Sequence, residues 1–123
     1  MVISRIAVAF LLLMVAGCGP ASPISNVVVR VFNQMKVDGS FHYDGQGTSG
    51  DAPIYACHET DFGLGLGTWQ ITITDPKTSM TASVTALANA QVYEGYVIHP
   101  DGRVEIVYRI TSAQTEPPPP SNC

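Results

Sequence analysis

TWQITIT, residues 68–74, places Trp69, Ile71 and Ile73 on one face and Gln70, Thr72 and Thr74 on the other. A period of two in β-branched and aromatic residues marks a strand with one buried face. DPKTS, 75–79, ends it, the proline presetting a turn. In MTASVTALANAQ, 80–91, Ala82, Val84 and Ala86 alternate with Thr81, Ser83 and Thr85. The alanines would permit a helix, but the threonines favour a second strand. VYEGYVI, 92–98, and RVEIVYRIT, 103–111, are read as strands joined by HPDG, with proline second and glycine fourth as in a type I turn. Val104, Ile106, Tyr108 and Ile110 are expected on one face of the last strand.

Toward the amino terminus, NVVVRVF, 26–32, sets Val27, Val29 and Val31 against Val28, Arg30 and Phe32, again a strand. A weaker extension, NQMKV, leads to Asp38-Gly39, which predicts a hairpin turn with SFHY, 40–43, returning. DGQGTSGDAP, 44–53, has no periodicity and reads as a loop, and IYACHE, 54–59, as a short strand. DFGLGLG, 61–67, has glycine at every second position, which leaves one strand face bare for a close approach. Six to seven short strands in about a hundred residues predict an all-β domain, a small antiparallel β-sandwich or small barrel. TD followed by GLGTWQITITD, ending at Asp75, resembles the central hairpin of immunoglobulin-like and prealbumin-like modules. That resemblance implies a sandwich and carries no activity with it.

The first residues hold Arg5, an uncharged apolar run from Ile6 to Val15, then small residues, the order of a secretory signal. The run is shorter than the about 20 residues a membrane-spanning helix needs, and Gly-Cys-Gly-Pro follows it at once. Val15-Ala16-Gly17-Cys18 resembles the lipobox of bacterial lipoproteins. The resemblance implies cleavage after Gly17, a diacylglycerol thioether on Cys18 and an acylated new terminus. Gly19 in place of aspartate after the cysteine implies the outer membrane. The expected organisation is therefore a signal peptide at 1–17, a lipid-anchored tether at 18–25 containing GPASPIS, a β domain at 26–112 and a proline-rich tail at 113–123.

Loss of Arg5 would leave five basic residues against ten acidic ones. Nucleic acid and polybasic membrane contact both demand clustered lysine and arginine, so the lipid is the expected membrane contact and nucleic acid is not an expected partner. With Cys18 committed to lipid, Cys57 and Cys123 remain; they either pair, as in small exported domains, or stay as free thiols or a mixed disulfide with a partner. The tail TEPPPPSN should be extended polyproline, long and stiff enough to carry Cys123 across the domain.

CHETD, 57–61, gathers donors that metals prefer, and Cys57, His58 and Glu59 define a metal or redox alternative. Adjacent strand residues face opposite ways, and no CxxC or HxxxH supplies further ligands, which weighs against it. A Cys57–His58 nucleophile meets the same objection. His42 and His99 stand alone, and GxSxG, the P-loop and the dinucleotide glycine pattern are absent. No enzyme and no cofactor beyond the covalent lipid are expected. Tyrosines suit recognition surfaces, so a binding face is expected near Gly45–Pro53 and the glycine strand, with Tyr43, Tyr55 and Phe62 as its residues. The functional expectation is a membrane-anchored binding or assembly accessory of the bacterial cell envelope, meeting an envelope protein partner.

Overall fold

The computed structural model describes residues 26–88, 90–111, 117–121 and Cys123. The expected signal peptide, the tether and Cys18 lie outside the described residues. Eight strands form: β1(Val27–Asn33), β2(Gly39–Gly45), β3(Thr48–Ile54), β4(Glu59–Leu64), β5(Gly67–Thr74), β6(Ser79–Ala86), β7(Val92–Ile98) and β8(Val104–Thr111). They build two four-stranded sheets, ordered β4-β1-β7-β8 and β3-β2-β5-β6. The expected class is met as all-β, with eight strands rather than six to seven and two sheets rather than a barrel. One pair departs from the expected antiparallel pattern: β1 and β7 run parallel, from Val27 beside Val92 to Asn33 beside Ile98.

The sheets share one core. Val27, Val29, Val31, Tyr96 and Ile98 from the first meet Phe41, Ile54, Ile71, Ile73 and Val84 from the second, all fully buried. The alternation in β5 holds as expected, since Trp69, Ile71 and Ile73 are buried while Gln70 and Thr74 are exposed. On its outward face the second sheet is polar, with threonine hydroxyls paired across strands (Thr68 with Thr85 and Thr72 with Thr81, 3.2 Å each). The first sheet differs, because its outward face holds a second apolar cluster of Phe32, Val97 and Tyr108.

Strands alternate in direction, so every turn lies at one of two poles. Four expectations change on this account. Asp38-Gly39 does not close a hairpin, because β1 and β2 belong to different sheets and the segment 34–38 crosses between them. DGQGTSGDAP is no loop: Gln46 and Gly47, with φ of 52° and 76°, make a two-residue turn that folds β3 back on β2. Tyr55–His58 is likewise not strand but the crossing from β3 to β4, with Cys57 at φ 55°. In β8 the register shifts, Gly95 facing Tyr108 and Tyr96 facing Ile106, so Val107 is an extra residue. The bulge turns Tyr108 outward, breaking the expected face of Val104, Ile106, Tyr108 and Ile110.

The HPDG turn forms as expected, Gly102 N–H donating to the His99 carbonyl at 2.8 Å. Gly95 is required by close approach, since a β-carbon there would overlap the Tyr108 ring. Gly95→Ala is expected to destabilise the domain by about 1–3 kcal/mol through overpacking. At Gly65, where an added β-carbon meets nothing within 4 Å, the same change should stay within about 0.5 kcal/mol; urea unfolding of the two variants checks the contrast.

Candidate functional site

The two edge strands β3 and β4 lie on the same side of the molecule, and the inward positions of β3 are small: Thr48, Gly50 and Ala52. This leaves a gap that larger side chains would have filled. Tyr43, inward on β2 and paired with Gly50, occupies it; a β-carbon at Gly50 would overlap its phenol. Phe62 on β4 stacks on Phe41 with centroids 4.0 Å apart and planes at 5°. Tyr43 meets Trp69 edge-on at 6.0 Å, and the indole N–H of Trp69 donates to the Gly65 carbonyl at 2.8 Å. Between the edges a cleft of about 420 Å³ opens, lined by Tyr43, Phe62, Thr48, Asp61 and Trp69. Offset and edge-to-face aromatic contacts of this kind fix the rings, so the cleft wall is preformed.

Of the expected binding residues, Tyr43 and Phe62 therefore come together. Tyr55 does not: it is 54 % exposed in the β3–β4 crossing, at the opposite pole.

Cys57 and Cys123 form a disulfide, S–S 2.18 Å and Cα–Cα 4.9 Å, consistent with the paired alternative for these two residues. The tail approaches it along β1: Pro117, Pro118 and Pro119 border a groove with Arg30 and Glu59, and the Gln34 side-chain amide donates to the Ser121 carbonyl at 2.6 Å. A bonded sulfur has no thiolate to offer a metal. Nearby, His58 Nδ1 lies 2.6 Å from the Ala56 carbonyl, and Glu59 pairs with Arg30 at 3.0 Å. Among the described residues no group of three or more metal donors converges.

A third arrangement escaped the sequence reading. Glu94, 1 % exposed, points inward from β7; Tyr96 donates its hydroxyl to Glu94 Oε1 at 2.7 Å, and Arg109 Nε lies 3.0 Å from Oε2. Burial, and after it the hydrogen bond and charge of Glu94, push the Tyr96 phenol well above its ordinary value of 10. The signal was available, because Glu94 shares parity with Val92, Tyr96 and Ile98, the inward set of a strand. Arg109 was hidden, since only the Val107 bulge turns it inward. Other polar side chains pair at the surface: His42 with Asp51 at 2.8 Å, His99 with Glu105 at 2.7 Å, and Arg30 with Asp61 at 2.9 Å.

Comparison with protein-family models, curated proteins and solved structures finds no match for the chain.

Two outcomes are expected. Reducing the Cys57–Cys123 bond, whose partners are 66 residues apart, should lower unfolding stability by about 4 kcal/mol on the chain-entropy model, measured by denaturation with and without dithiol. Because the folded phenol of Tyr96 titrates above the unfolded one, its contribution is intact below pH ~10 and declines as pH rises further, by up to about 1.4 kcal/mol per unit. Tyr96→Phe should cost about 1–3 kcal/mol at neutral pH, leaving Glu94 Oε1 without its donor, yet show a shallower alkaline decline in thermal melts.

Proposed function

We propose that the chain is a lipid-anchored protein of the bacterial outer membrane, fixed through Cys18, whose β domain is a non-enzymatic binding or assembly module. The observation that carries the binding part is the cleft between β3 and β4, a preformed aromatic wall beside strands that, among the described residues, are the edges of their sheets. Extended segments of a partner can add to such edges through backbone hydrogen bonds while a side chain fills the pocket. Asp51, Glu59, Asp61, Glu94 and Glu105 each pair with a basic side chain rather than converging on one another, which favours recognition over catalysis.

The anchor rests on Val15-Ala16-Gly17-Cys18 behind its apolar run. Three acyl chains hold a protein in its leaflet, and an anchored domain meets an envelope protein at high effective concentration even when intrinsic affinity is weak. Of the two sandwich types the sequence resembles, the strand order favours the prealbumin-like one. An immunoglobulin constant-type sandwich groups A-B-E-D and C-F-G, which would set β1 beside β2, whereas β1 lies between β4 and β7.

Mass spectrometry of protein from its native envelope should find acyl mass on Cys18; an unmodified thiol there removes the anchor. A photo-crosslinking residue in place of Thr48 at the cleft rim should capture a discrete envelope protein, and Phe62→Ala should abolish that adduct without unfolding the domain. An adduct indifferent to Phe62→Ala would remove the cleft from the proposal.

A further inference from the structure

The two poles of the domain differ in charge. The β1–β2, β5–β6 and β7–β8 connections hold Lys36, Asp38, Asp75, Lys77, Asp101 and Arg103, all at one pole. At the other pole the turns are Gln46-Gly47 and Gly65-Leu66, with Leu87, Ala88, Ala90 and Gln91 as the described residues between β6 and β7. None of these is charged. Leu66 is 57 % exposed and Leu87 48 % exposed. They stand next to Gly67 and Ala86, the pair that ends the β5–β6 ladder, so the two leucines flank one spot.

Asn26, where β1 begins, is at this same pole, hydrogen-bonded through its carbonyl to Val92 N–H at 3.1 Å. Resting on the lipid-anchor reading above, we infer that this pole lies on the bilayer, with Leu66 and Leu87 dipping into the lipid interface. Chain length points to lipid as the occupant. From Cys18 to Asn26 the backbone reaches at most about 28 Å, while strands of seven or eight residues make the domain about 25 Å tall. Seating the opposite pole on the membrane would require the tether to run fully stretched down the side of the domain. It would also press six formal charges toward a low-dielectric medium, whereas the tethered pole brings two apolar side chains and uncharged turns.

The test uses the full, acylated chain in phosphatidylethanolamine–phosphatidylglycerol vesicles whose acyl chains carry bromine, a contact quencher of indole emission. Leu66→Trp, and independently Leu87→Trp, should each lose emission beyond the loss seen for the parent protein with Trp69 alone. Val37→Trp, at an exposed apolar position of the charged pole, should show no such added loss. Co-flotation with vesicles but no added quenching at either leucine overturns the seating of this pole and leaves the anchor standing, as does quenching equal to that of Val37→Trp. Emission shielded at the leucines only as protein density rises assigns the patch to a second copy and overturns it too. Chain that fails to co-float overturns the anchor reading itself, and the inference with it.

Discussion

Burial of β1 on both faces is the constraint on which the structure depends. Val27, Val29 and Val31 are fully buried in the shared core, while Phe32, on the opposite face, is 1 % exposed in the outer cluster with Val97 and Tyr108. A strand buried on both sides reads as a nearly continuous apolar run, which is what VVVRVF is. Because β1 is hydrogen-bonded along its length to β4 on one side and to β7 on the other, it joins the edge strand β4 to the β7–β8 hairpin. A parallel β1–β7 pair needs a long crossover, and β2 to β6, which include the whole of the second sheet, supply it. Arg30 is the exception in the run, and its charge is met by Asp61 and Glu59 from the neighbouring strand and by the Tyr93 ring 5.7 Å away.

What could be read from the sequence follows from how strictly each strand alternates. β5 and β6 set apolar inward residues against outward threonines and serines, so composition and period agree, whereas β1 and β7 were legible as runs of β-branched and aromatic residues. β3 was invisible because its inward residues are Thr48, Gly50 and Ala52, small so that Tyr43 can lie over them. The feature that makes the cleft is thus the feature that erased the strand. In β4 the glycines diluted the signal of Phe62 and Leu64. Asp38-Gly39 and Gly65-Leu66 have the residues of tight turns, yet both connect different sheets; local turn chemistry fixes a change of direction and says nothing of which sheet receives the chain. The extra residue in β8 inverts side-chain facing from Tyr108 onward, and no periodic reading anticipates such an inversion.

The candidate site was legible in part for the same reasons. Tyr43 and Phe62 were singled out as aromatic residues near glycine-rich sequence; both line the cleft, and Gly50 is what leaves room for the Tyr43 ring. Tyr55 was chosen by type alone, and its position in the crossing turn places it at the charged pole. The Glu94, Tyr96 and Arg109 group shows the converse, a polar cluster inside an apolar run. It keeps a carboxylate at the open β6–β8 side of the core only because a hydroxyl and a guanidinium arrive from two strands to meet it.

The cleft and the tether are coupled through a single ladder. Gly63 and Leu64, at the cleft's rim, pair with Val28 and Val27, the first residues of the strand that the tether enters. Motion of β4 relative to β1 is therefore limited by the hydrogen bonds between them, and β1 is itself held by β7 and by packing on both faces. With Cys18 acylated, the rim of the β3–β4 cleft would stay within the tether's reach of the bilayer, about 28 Å, and a partner confined to the same membrane would meet it already oriented. The ordering entropy usually lost on association would then be met largely by the anchor. On the proposed reading a preformed cleft of modest size would then suffice, because its rim strand β4 is hydrogen-bonded to β1, the strand that follows the tether, and that placement would do part of what a larger interface would otherwise have to do.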